Sequence, residues 1–115
     1  MTIQRLDPGA RLSEAVVHGG LVYLAGHVSD SPEAGVEQQT REILEGIDRH
    51  LAAAGTSKSK LLSVSIWLAD ISTFAQMNTA WDAWVDKANL PARATVEARL
   101  ASPDYKVEIA GIAAI

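Results

Sequence analysis

The sequence predicts a single α+β domain spanning residues 1–115, in which two helices cover one face of a mixed β-sheet. Two apolar stripes recur at helical spacing, and the short segments around them alternate or are rich in β-branched residues. Together these patterns predict the element order β-β-α-β-α-β-β. The 115-residue chain is 48% apolar and 21% charged, a balance typical of one globular domain. The simplest packing places both helices on the same face of the sheet.

The first predicted elements are a β-hairpin over residues 14–28 and a helix that starts near Ser31. Glycines at 19–20 separate two apolar segments and supply the positive φ of a tight turn. Ser31 has the residue type of a helix N-cap, and Pro32 suits the first helical position. Gly55 predicts where this helix ends. Its apolar stripe comprises Val36, Ile43, Leu44, Ile47 and Leu51.

A third strand and a second helix follow. Residues 61–68 alternate, which predicts a strand with Ser63, Ser65 and Trp67 on one face and Leu62, Val64, Ile66 and Leu68 on the other. The second helix begins near Asp70 or Ser72, either of which can cap it. It ends before Pro91, which disfavours helical geometry at the preceding residue. Its apolar stripe comprises Phe74, Met77, Trp81, Trp84 and Val85.

Two strands, at about 92–100 and 105–114, complete the domain, with a turn at 102–104 between them. If residues 100 and 105 face each other across this turn, Arg93 and Glu108 lie four positions apart, roughly 13 Å. A direct pair between them within the chain is therefore not expected. Both faces of the last strand are apolar, with Ala110, Ile112 and Ala114 alternating against Val107, Ile109 and Ala113. Because the helices cover only one face of the sheet, we expect a second subunit on the other.

Composition excludes several classes of function. The net charge is −4, with ten basic residues among fourteen acidic ones, which disfavours binding to nucleic-acid phosphates. The chain has no cysteine, which excludes disulfides, thiol catalysis and thiolate-bound zinc. No apolar run is long enough for a membrane span, and the first residues lack the apolar core of a secretory signal. Cytoplasmic residence is therefore expected.

Arg93 is the first candidate functional residue. Alternation places it on one face of its strand with Thr95, Glu97 and Arg99, and we expect that face to point away from the helices. The guanidinium fork fits a carboxylate in bidentate fashion. Because most arginines pair with acids of the protein or with water, the simpler expectation from the residues alone is a carboxylate of the protein itself, from Glu97 or Glu108.

Glu108 is the second candidate, and its ordinary role would be a cross-strand partner for Lys106 or Arg99. His18, His27 and His50 show no metal-ligand spacing, so we expect neither a metal nor a cofactor. Of the three, His27 follows Gly26 at a strand end and is the best placed for function, although a structural role is the simpler expectation for each.

Several blocks of the sequence resemble the RidA/YjgF family, and within it the YoaB-like branch. The C-terminal blocks PARATVEARL and YKVEIAGIAAI are the most specific, supported by STFAQMNTAWDAWV in the middle and LVYLAGHV near the start. The resemblance covers nearly the whole chain. It implies a chorismate-mutase-like fold and a homotrimer whose sheets face inward as a barrel-like assembly, with clefts between subunits. It also implies hydrolytic deamination of reactive 2-imino acids to 2-keto acids and ammonia.

The resemblance also assigns roles to individual residues. Arg93 matches the arginine that binds the substrate carboxylate, and Glu108 matches the acid that positions or activates water. Gly26 matches a glycine that lines the cleft, and Asn78 matches a helix asparagine whose role can be structural.

Three positions of the predicted site depart from the family pattern. Thr95 stands where active deaminases have a cysteine, Leu12 where they have a tyrosine, and His27 where glutamine is usual. A threonine hydroxyl can still donate a hydrogen bond, whereas leucine cannot bind the imine nitrogen or a water as a tyrosine hydroxyl does. The arginine that binds the substrate carboxylate is therefore kept, while some of the residues expected around the reacting atoms differ.

Three functions remain open on the sequence alone. Imine hydrolysis is the leading hypothesis, with Arg93, Glu108 and Thr95 in catalysis and a small carboxylate or imino acid as ligand. A non-catalytic binding module for small carboxylates or keto acids is the alternative, since Leu12 removes a catalytic hydroxyl. Endoribonuclease or translation-inhibitor activity is weaker, because the acidic charge balance argues against RNA binding.

Overall fold

The computed structural model describes residues 2–115 and shows, within them, a six-stranded mixed sheet with two α-helices packed on one of its faces. This confirms the predicted α+β class. The strands are β1 (Gln4–Pro8), β2 (Ser13–His18), β3 (Leu21–His27), β4 (Leu61–Leu68), β5 (Ala92–Glu97) and β6 (Val107–Ala114). The helices are α1 (Val36–Ala53) and α2 (Phe74–Trp84). In the sheet the strands lie in the order β1-β2-β3-β6-β4-β5, and β4 and β5 pair in parallel.

Strand β1 is an addition to the predicted order. It pairs antiparallel with β2, and four of its five residues are exposed. Only Leu6 packs against the core, so the segment carries no alternating apolar signal. The predicted hairpin that follows is confirmed, with positive φ angles of 60° at Gly19 and 78° at Gly20.

Helix α1 begins later than predicted. Its N-cap is Gly35, and no side chain caps it. The Ser31 hydroxyl instead donates to Glu42 Oε1 at 2.8 Å, so the cap prediction at Ser31 and Pro32 is wrong. The predicted end is confirmed. Gly55 has a φ of 84°, and the amides of Gly55 and Thr56 donate to the carbonyls of Ala52 and Leu51, as in a Schellman motif.

Strand β4 has the predicted limits, but its register shifts between Leu61 and Ser63 where it pairs with β6. This irregularity leaves Leu62 49% exposed, so the prediction that Leu62 shares the buried face is wrong. The buried side chains of β4 are Leu61, Val64, Ile66 and Leu68.

Helix α2 is shorter than predicted at both ends. Asp70 caps a short 3₁₀ helix, Ile71–Thr73, by accepting from the Ser72 amide at 2.9 Å, and this turn runs into α2. The helix ends at Trp84 rather than near Pro91. Asp86 stabilises the turn beyond it by accepting from the Ala88 amide at 3.0 Å.

The last two strands do not form the predicted hairpin. Strand β4 lies between β5 and β6, pairing in parallel with the first and antiparallel with the second. The predicted register across the turn is therefore wrong, and β5 ends at Glu97 rather than near residue 100. Strand β5 lies at the outer edge of the sheet, so the chain must pass across β4 to reach β6.

This topology also corrects the orientation of Arg93. Paired residues of neighbouring strands point to the same face of a sheet, and Arg93 pairs with the buried Val64. Arg93 and Thr95 therefore point towards the helices, whereas Val96 points to the opposite face and is 51% exposed. The prediction had these two faces of β5 reversed.

The opposite face of the sheet, here called the open face, carries many apolar residues. Its members include Val16, Tyr23, Trp67, Ala94, Val96, Ala110 and Ile112, which are exposed or half-buried. The core lies on the helix side and contains Ile43, Leu44, Leu51, Ile66, Leu68, Met77 and Ile109. The prediction that both sheet faces are apolar is confirmed. Over residues 2–115, no helix is long and apolar enough to cross a membrane.

Candidate functional site

Arg93 lies against one face of α2, which fixes its guanidinium group. Its Nη1 donates to Asn78 Oδ1 at 2.8 Å. The guanidinium carbon lies 5.1 Å from the centre of the Trp81 ring and 5.7 Å from that of Phe74, both within the range of cation–π attraction. Residues 74, 78 and 81 share this face because side chains three or four positions apart are neighbours on a helix.

No carboxylate oxygen in residues 2–115 lies within 4.0 Å of the Arg93 guanidinium. The two protein partners considered for it are engaged or distant. Glu97 accepts from the Ile71 amide at 3.0 Å, and Glu108 lies on the open face. Burial lowers the pKa of Arg93, with Asp82 opposing that change, but an arginine remains charged at neutral pH. A half-buried cation with free donors is therefore available to an external anion.

A cleft of about 590 Å³ opens beside Arg93. Its walls are Asn78, Trp81, Asp82, Val85, Lys87, Leu90 and Arg93. Its two cations, Arg93 and Lys87, outnumber its one carboxylate, Asp82, and together with the Trp81 ring they suit a small anion with an apolar body.

Thr95 lies two residues after Arg93 on the same face of β5. Its Oγ1 is buried and has no hydrogen-bond partner among residues 2–115. A buried hydroxyl without a partner is uncommon, so its hydrogen-bonding capacity is unused within the chain, although Thr95 is not among the walls of the cleft beside Arg93.

Glu108 and Gly26 meet on the open face. A Cβ atom added to Gly26 would lie 3.0 Å from Glu108 Cδ and closer still to Oε2. The Gly26 position thus admits the Glu108 carboxylate only because it has no side chain. The neighbour of Glu108 on β4 is Trp67, and Lys106, one of its predicted partners, instead donates to the Pro32 carbonyl at 3.1 Å.

Arg93 and Glu108 are separated within one chain. They lie on opposite faces with β4 between their strands, and Arg93 is level with Val64 while Glu108 is level with Trp67. Two strand spacings and three residues of rise put their Cα atoms roughly 14 Å apart. The structure therefore divides the predicted site into an arginine half, with Asn78 and Thr95, and an acid half, with Gly26.

The remaining predicted residues lie outside the arginine half. Leu12 is 56% exposed just before β2, and four strand spacings, roughly 19 Å, separate β2 from β5. His27 is buried on the helix side of β3, where its Nδ1 lies 2.6 Å from the Ala25 carbonyl oxygen. Burial is the main reason that the pKa of His27 falls below its ordinary value.

Two groups of contacts were not predicted. Phe74 and Trp81 were assigned to an apolar stripe, and only the strand order shows that they frame Arg93. Glu14 and His50 surround His27, with Glu14 Oε2 3.4 Å from its Nε2 and the His50 ring centre at 4.7 Å. Residues 14, 27 and 50 come from separate elements, so their spacing in the sequence gives no signal.

The chain is similar to known proteins over nearly its whole length. Residues 2–115 match the family model described as Endoribonuclease L-PSP. A RutC family protein of Haemophilus influenzae is 53% identical, covering 98% of each chain. The RutC family protein YoaB of Escherichia coli is 45% identical over the full length of both. The structure of a YjgF family member from Neisseria meningitidis superposes with a TM-score of 0.93 at 44% identity, covering 99% of this chain and 95% of that one. The protein described here therefore belongs to the YjgF/RidA family, whose members include the RutC and L-PSP proteins.

Proposed function

We propose that this protein hydrolyses reactive 2-imino acids to 2-keto acids and ammonia, in clefts between the subunits of a homotrimer. The observation that carries the proposal is the Arg93 guanidinium, which is oriented by Asn78 and lacks a carboxylate partner in its own chain. The residues that match the family's site, Arg93 and Glu108, support the same conclusion.

The arginine half binds the substrate carboxylate. Asn78 engages Nη1 of Arg93, and the remaining N–H groups of the fork can donate to both oxygens of a carboxylate. Trp81 and Phe74 shield the guanidinium from water, which strengthens its attraction for an anion. A bound carboxylate fixes where the adjacent imine carbon lies.

The acid half activates water. Among residues 2–115 the Glu108 carboxylate has no side-chain hydrogen bond or ion pair, so it can accept a proton from water as the oxygen attacks the imine carbon. Glu108 then passes that proton to the imine nitrogen, which gives a tetrahedral intermediate with one hydroxyl and one amino group. As the C–N bond breaks, Glu108 transfers the hydroxyl proton to the nitrogen, so that the keto-acid carbonyl forms and ammonia leaves. The unpartnered Thr95 hydroxyl can hydrogen-bond the imine or the attacking water.

The two halves need a second subunit to form one site. Arg93 and Glu108 of one chain point to opposite faces of the sheet, too far apart to hold one small acid. The apolar open face offers a surface for association. In our proposal the Arg93 half of one subunit faces the Gly26–Glu108 half of its neighbour.

The test is the hydrolysis of 2-iminopropanoate and bulkier 2-imino acids, generated in situ by an amino-acid oxidase. Ammonia and keto-acid formation should accelerate with the wild-type protein and fall at least about 100-fold with Arg93→Ala, since a bidentate charged contact is lost. Arg93→Lys keeps the charge without the fork and should recover little.

Arg99→Ala is the matched control, because Arg99 is exposed beyond the end of β5. It should leave hydrolysis unchanged. Equal rates for wild type and Arg93→Ala with every imine would refute the proposal.

A binding module for small carboxylates is the second candidate function, and Leu12 favours it. A leucine at this position supplies no hydroxyl to the reacting atoms. A rise in melting temperature with keto acids, lost in Arg93→Ala and unaccompanied by imine hydrolysis, would establish this alternative.

A further inference from the structure

Three potential metal ligands meet between the sheet and α1, in a cleft that Gly26 also lines. Glu14 lies on β2, His27 ends β3 and His50 lies in the last turn of α1. Each offers one ligand atom, and these atoms all lie within 4.8 Å of one another. Asp7 adds a second carboxylate, with Oδ2 3.7 Å from His50 Nε2.

Hydrogen bonds to the backbone orient both imidazole rings in the same way. His27 Nδ1 lies 2.6 Å from the Ala25 carbonyl oxygen, and His50 Nδ1 lies 2.7 Å from that of Gly46. A carbonyl oxygen only accepts, so Nδ1 of each ring carries the proton. In the neutral rings, each Nε2 then presents a lone pair to the cluster, the arrangement found in histidines that bind metals.

Each of these Nε2 lone pairs lies close to a carboxylate oxygen, which is itself a hydrogen-bond acceptor. His27 Nε2 is 3.4 Å from Glu14 Oε2, and it is a buried atom with no hydrogen-bond partner in residues 2–115. His27 as a whole is only 8% exposed. Two acceptors at this distance repel unless a cation lies between them.

We propose that Glu14, His27 and His50 bind one divalent transition-metal ion of the Zn²⁺ type, with Asp7 or a water as the fourth ligand. Zinc takes imidazole nitrogen and carboxylate oxygen at about 2.0–2.2 Å, usually in tetrahedral geometry. Tetrahedral ligands at that radius lie about 3.4 Å apart, close to the separation of His27 Nε2 and Glu14 Oε2. The other pairs of ligand atoms lie within 4.8 Å of each other, so only small side-chain movements are needed to bring them to this separation.

The surrounding charge favours a cation. A cleft of about 540 Å³ borders the cluster, and the carboxylates of Glu14, Asp30, Glu42 and Glu45 line it against the single arginine Arg49. Imidazole and carboxylate ligands without thiolate suit Zn²⁺, Ni²⁺ or Cu²⁺ better than Ca²⁺ or Mg²⁺. This inference is independent of imine hydrolysis, because none of its ligands belongs to either half of that site.

The experiment uses the full chain without an affinity tag, dialysed first against a chelator and then into chelator-free buffer. Zn²⁺ is titrated by calorimetry, and Co²⁺ serves as a probe whose visible absorption reports four-coordinate nitrogen and oxygen ligation. We expect one ion per chain and a higher melting temperature, because an ion that binds the folded state stabilises it.

The variants separate this site from adventitious binding. Removing a group that only orients a metal ligand weakens metal binding by about 10–100-fold. Removing a ligand itself costs more, so His27→Gln and His50→Gln should each weaken Zn²⁺ binding by at least about 100-fold. His18→Gln is the matched control, since His18 is exposed at the β2–β3 turn, and it should bind as wild type does.

The proposal is overturned if no stoichiometric binding occurs, or if His18→Gln weakens binding as much as His50→Gln does. If His27→Gln fails to fold by circular dichroism, Glu14→Gln and His50→Gln decide, because both side chains are more exposed than His27. Wild-type affinity in both of these variants would also overturn it.

Discussion

The Arg93 guanidinium is oriented before any ligand arrives, because Asn78 accepts from its Nη1 at 2.8 Å and two aromatic rings flank it. In the proposed mechanism Asn78 is therefore a positioning residue for the substrate carboxylate. Asn78→Ala should raise KM for 2-imino acids by about tenfold, the value of one hydrogen bond to a charged group, with a smaller effect on kcat.

Asn78→Asp distinguishes positioning from simple packing. The new carboxylate would pair with Arg93 and compete with substrate, so KM should rise further than in Asn78→Ala although the side chain keeps its shape. Thr79→Ala, at an exposed position of the same helix, is the control. A KM in Asn78→Asp equal to that of wild type would contradict the assigned role. Steady-state kinetics of keto-acid formation measure all three variants.

Gly26 makes room for the carboxylate of Glu108. An alanine there would collide with Glu108 Oε2, and the flexible carboxylate would move aside. We expect Gly26→Ala to lower kcat at least about tenfold, since a catalytic base displaced by about 1 Å loses much of its effect, and to leave the melting temperature nearly unchanged.

The double variant Gly26→Ala/Glu108→Gln provides the sharper check. If the alanine acts only through Glu108, the double variant should lose no more activity than Glu108→Gln alone. Gly35→Ala, where an added Cβ meets nothing within 4 Å, should keep full activity. Additive losses would show that Gly26 acts on something other than Glu108.

At the residue scale, residue type was enough to single out the candidate site residues, but it was not enough to predict what surrounds them. An arginine in a small, apolar strand and a lone acid in the last strand were identified from the sequence as Arg93 and Glu108. The orientation of Arg93 was predicted wrongly because both faces of β5 offer small or apolar residues, and alternation alone does not say which face meets the helices. Only the insertion of β4 between β5 and β6 decides it.

At the scale of single elements, the end of α1 depends on Gly55. Its φ of 84° lies in the left-handed region, where a Cβ atom costs about 1–2 kcal/mol. Gly55→Ala should therefore lower the free energy of unfolding by about 1 kcal/mol, while Gly55→Asn should lower it less because asparagine tolerates this region.

Urea unfolding at constant m value measures both changes. Imine hydrolysis below the unfolding transition should be unaffected, since Gly55 is remote from both halves of the proposed site. Equal stability of the alanine variant and the wild type would contradict the role assigned to the Schellman motif.

The loop that leads into α1 is tied to the helix by Glu42. Hydrogen bonds from Ser29 Oγ and Ser31 Oγ, both 2.8 Å long, and from Gln38 lower the pKa of Glu42 below its ordinary value of 4.5. A carboxyl whose folded pKa is depressed contributes stability above its unfolded pKa and loses it as the pH falls through the folded value.

The wild-type protein should therefore lose stability more steeply below about pH 4.5 than the Ser29→Ala/Ser31→Ala variant does. Urea midpoints measured between neutral and acid pH test this. Ser57→Ala removes a hydroxyl that makes no capping hydrogen bond and should follow the wild-type profile. Parallel profiles for the wild type and the double variant would contradict the link through Glu42.

Elements with a clear apolar period were identified, although the start of α1 and both ends of α2 were misplaced. Strand β4 was found with its correct limits because its buried positions alternate, whereas β1 escaped notice because it buries little beyond Leu6. The start of α1 was misplaced because Ser31 and Pro32 have the residue types of a helix start. The Ser31 hydroxyl is instead engaged by Glu42, a partner far along the chain that local propensity does not take into account.

At the scale of the whole molecule, one chain leaves its open face uncovered and keeps Arg93 and Glu108 on opposite faces of the sheet. Tyr23 and Val96 are 42% and 51% exposed on that face, and Ile112 and Trp67 are half-buried beside them. The alternating apolar pattern of β6 predicted this face from the sequence. The sequence predicted that Arg93 and Glu108 do not pair directly within one chain, but it placed them on the same face of a hairpin. Their position on opposite faces depends on a strand order that neighbouring segments of the chain do not reveal.

A site shared between subunits predicts complementation. Arg93→Ala and Glu108→Gln chains should each be inactive alone. Mixed one to one, unfolded and refolded together, they should recover about one quarter of wild-type activity, because a cyclic assembly with random mixing places an intact Arg93 opposite an intact Glu108 at about one interface in four. A site contained within one chain would recover none.

The matched control is a one-to-one mixture of wild-type chains with the double variant Arg93→Ala/Glu108→Gln. A shared site should leave about one quarter of the wild-type activity in this mixture, since both subunits at an interface must be intact, whereas a site within one chain should leave about one half. The two mixtures should therefore agree if the site is shared and differ if it is not. Recovery near zero in the first mixture together with about one half in the second would place Arg93 and Glu108 of the same chain in one site and refute the shared cleft.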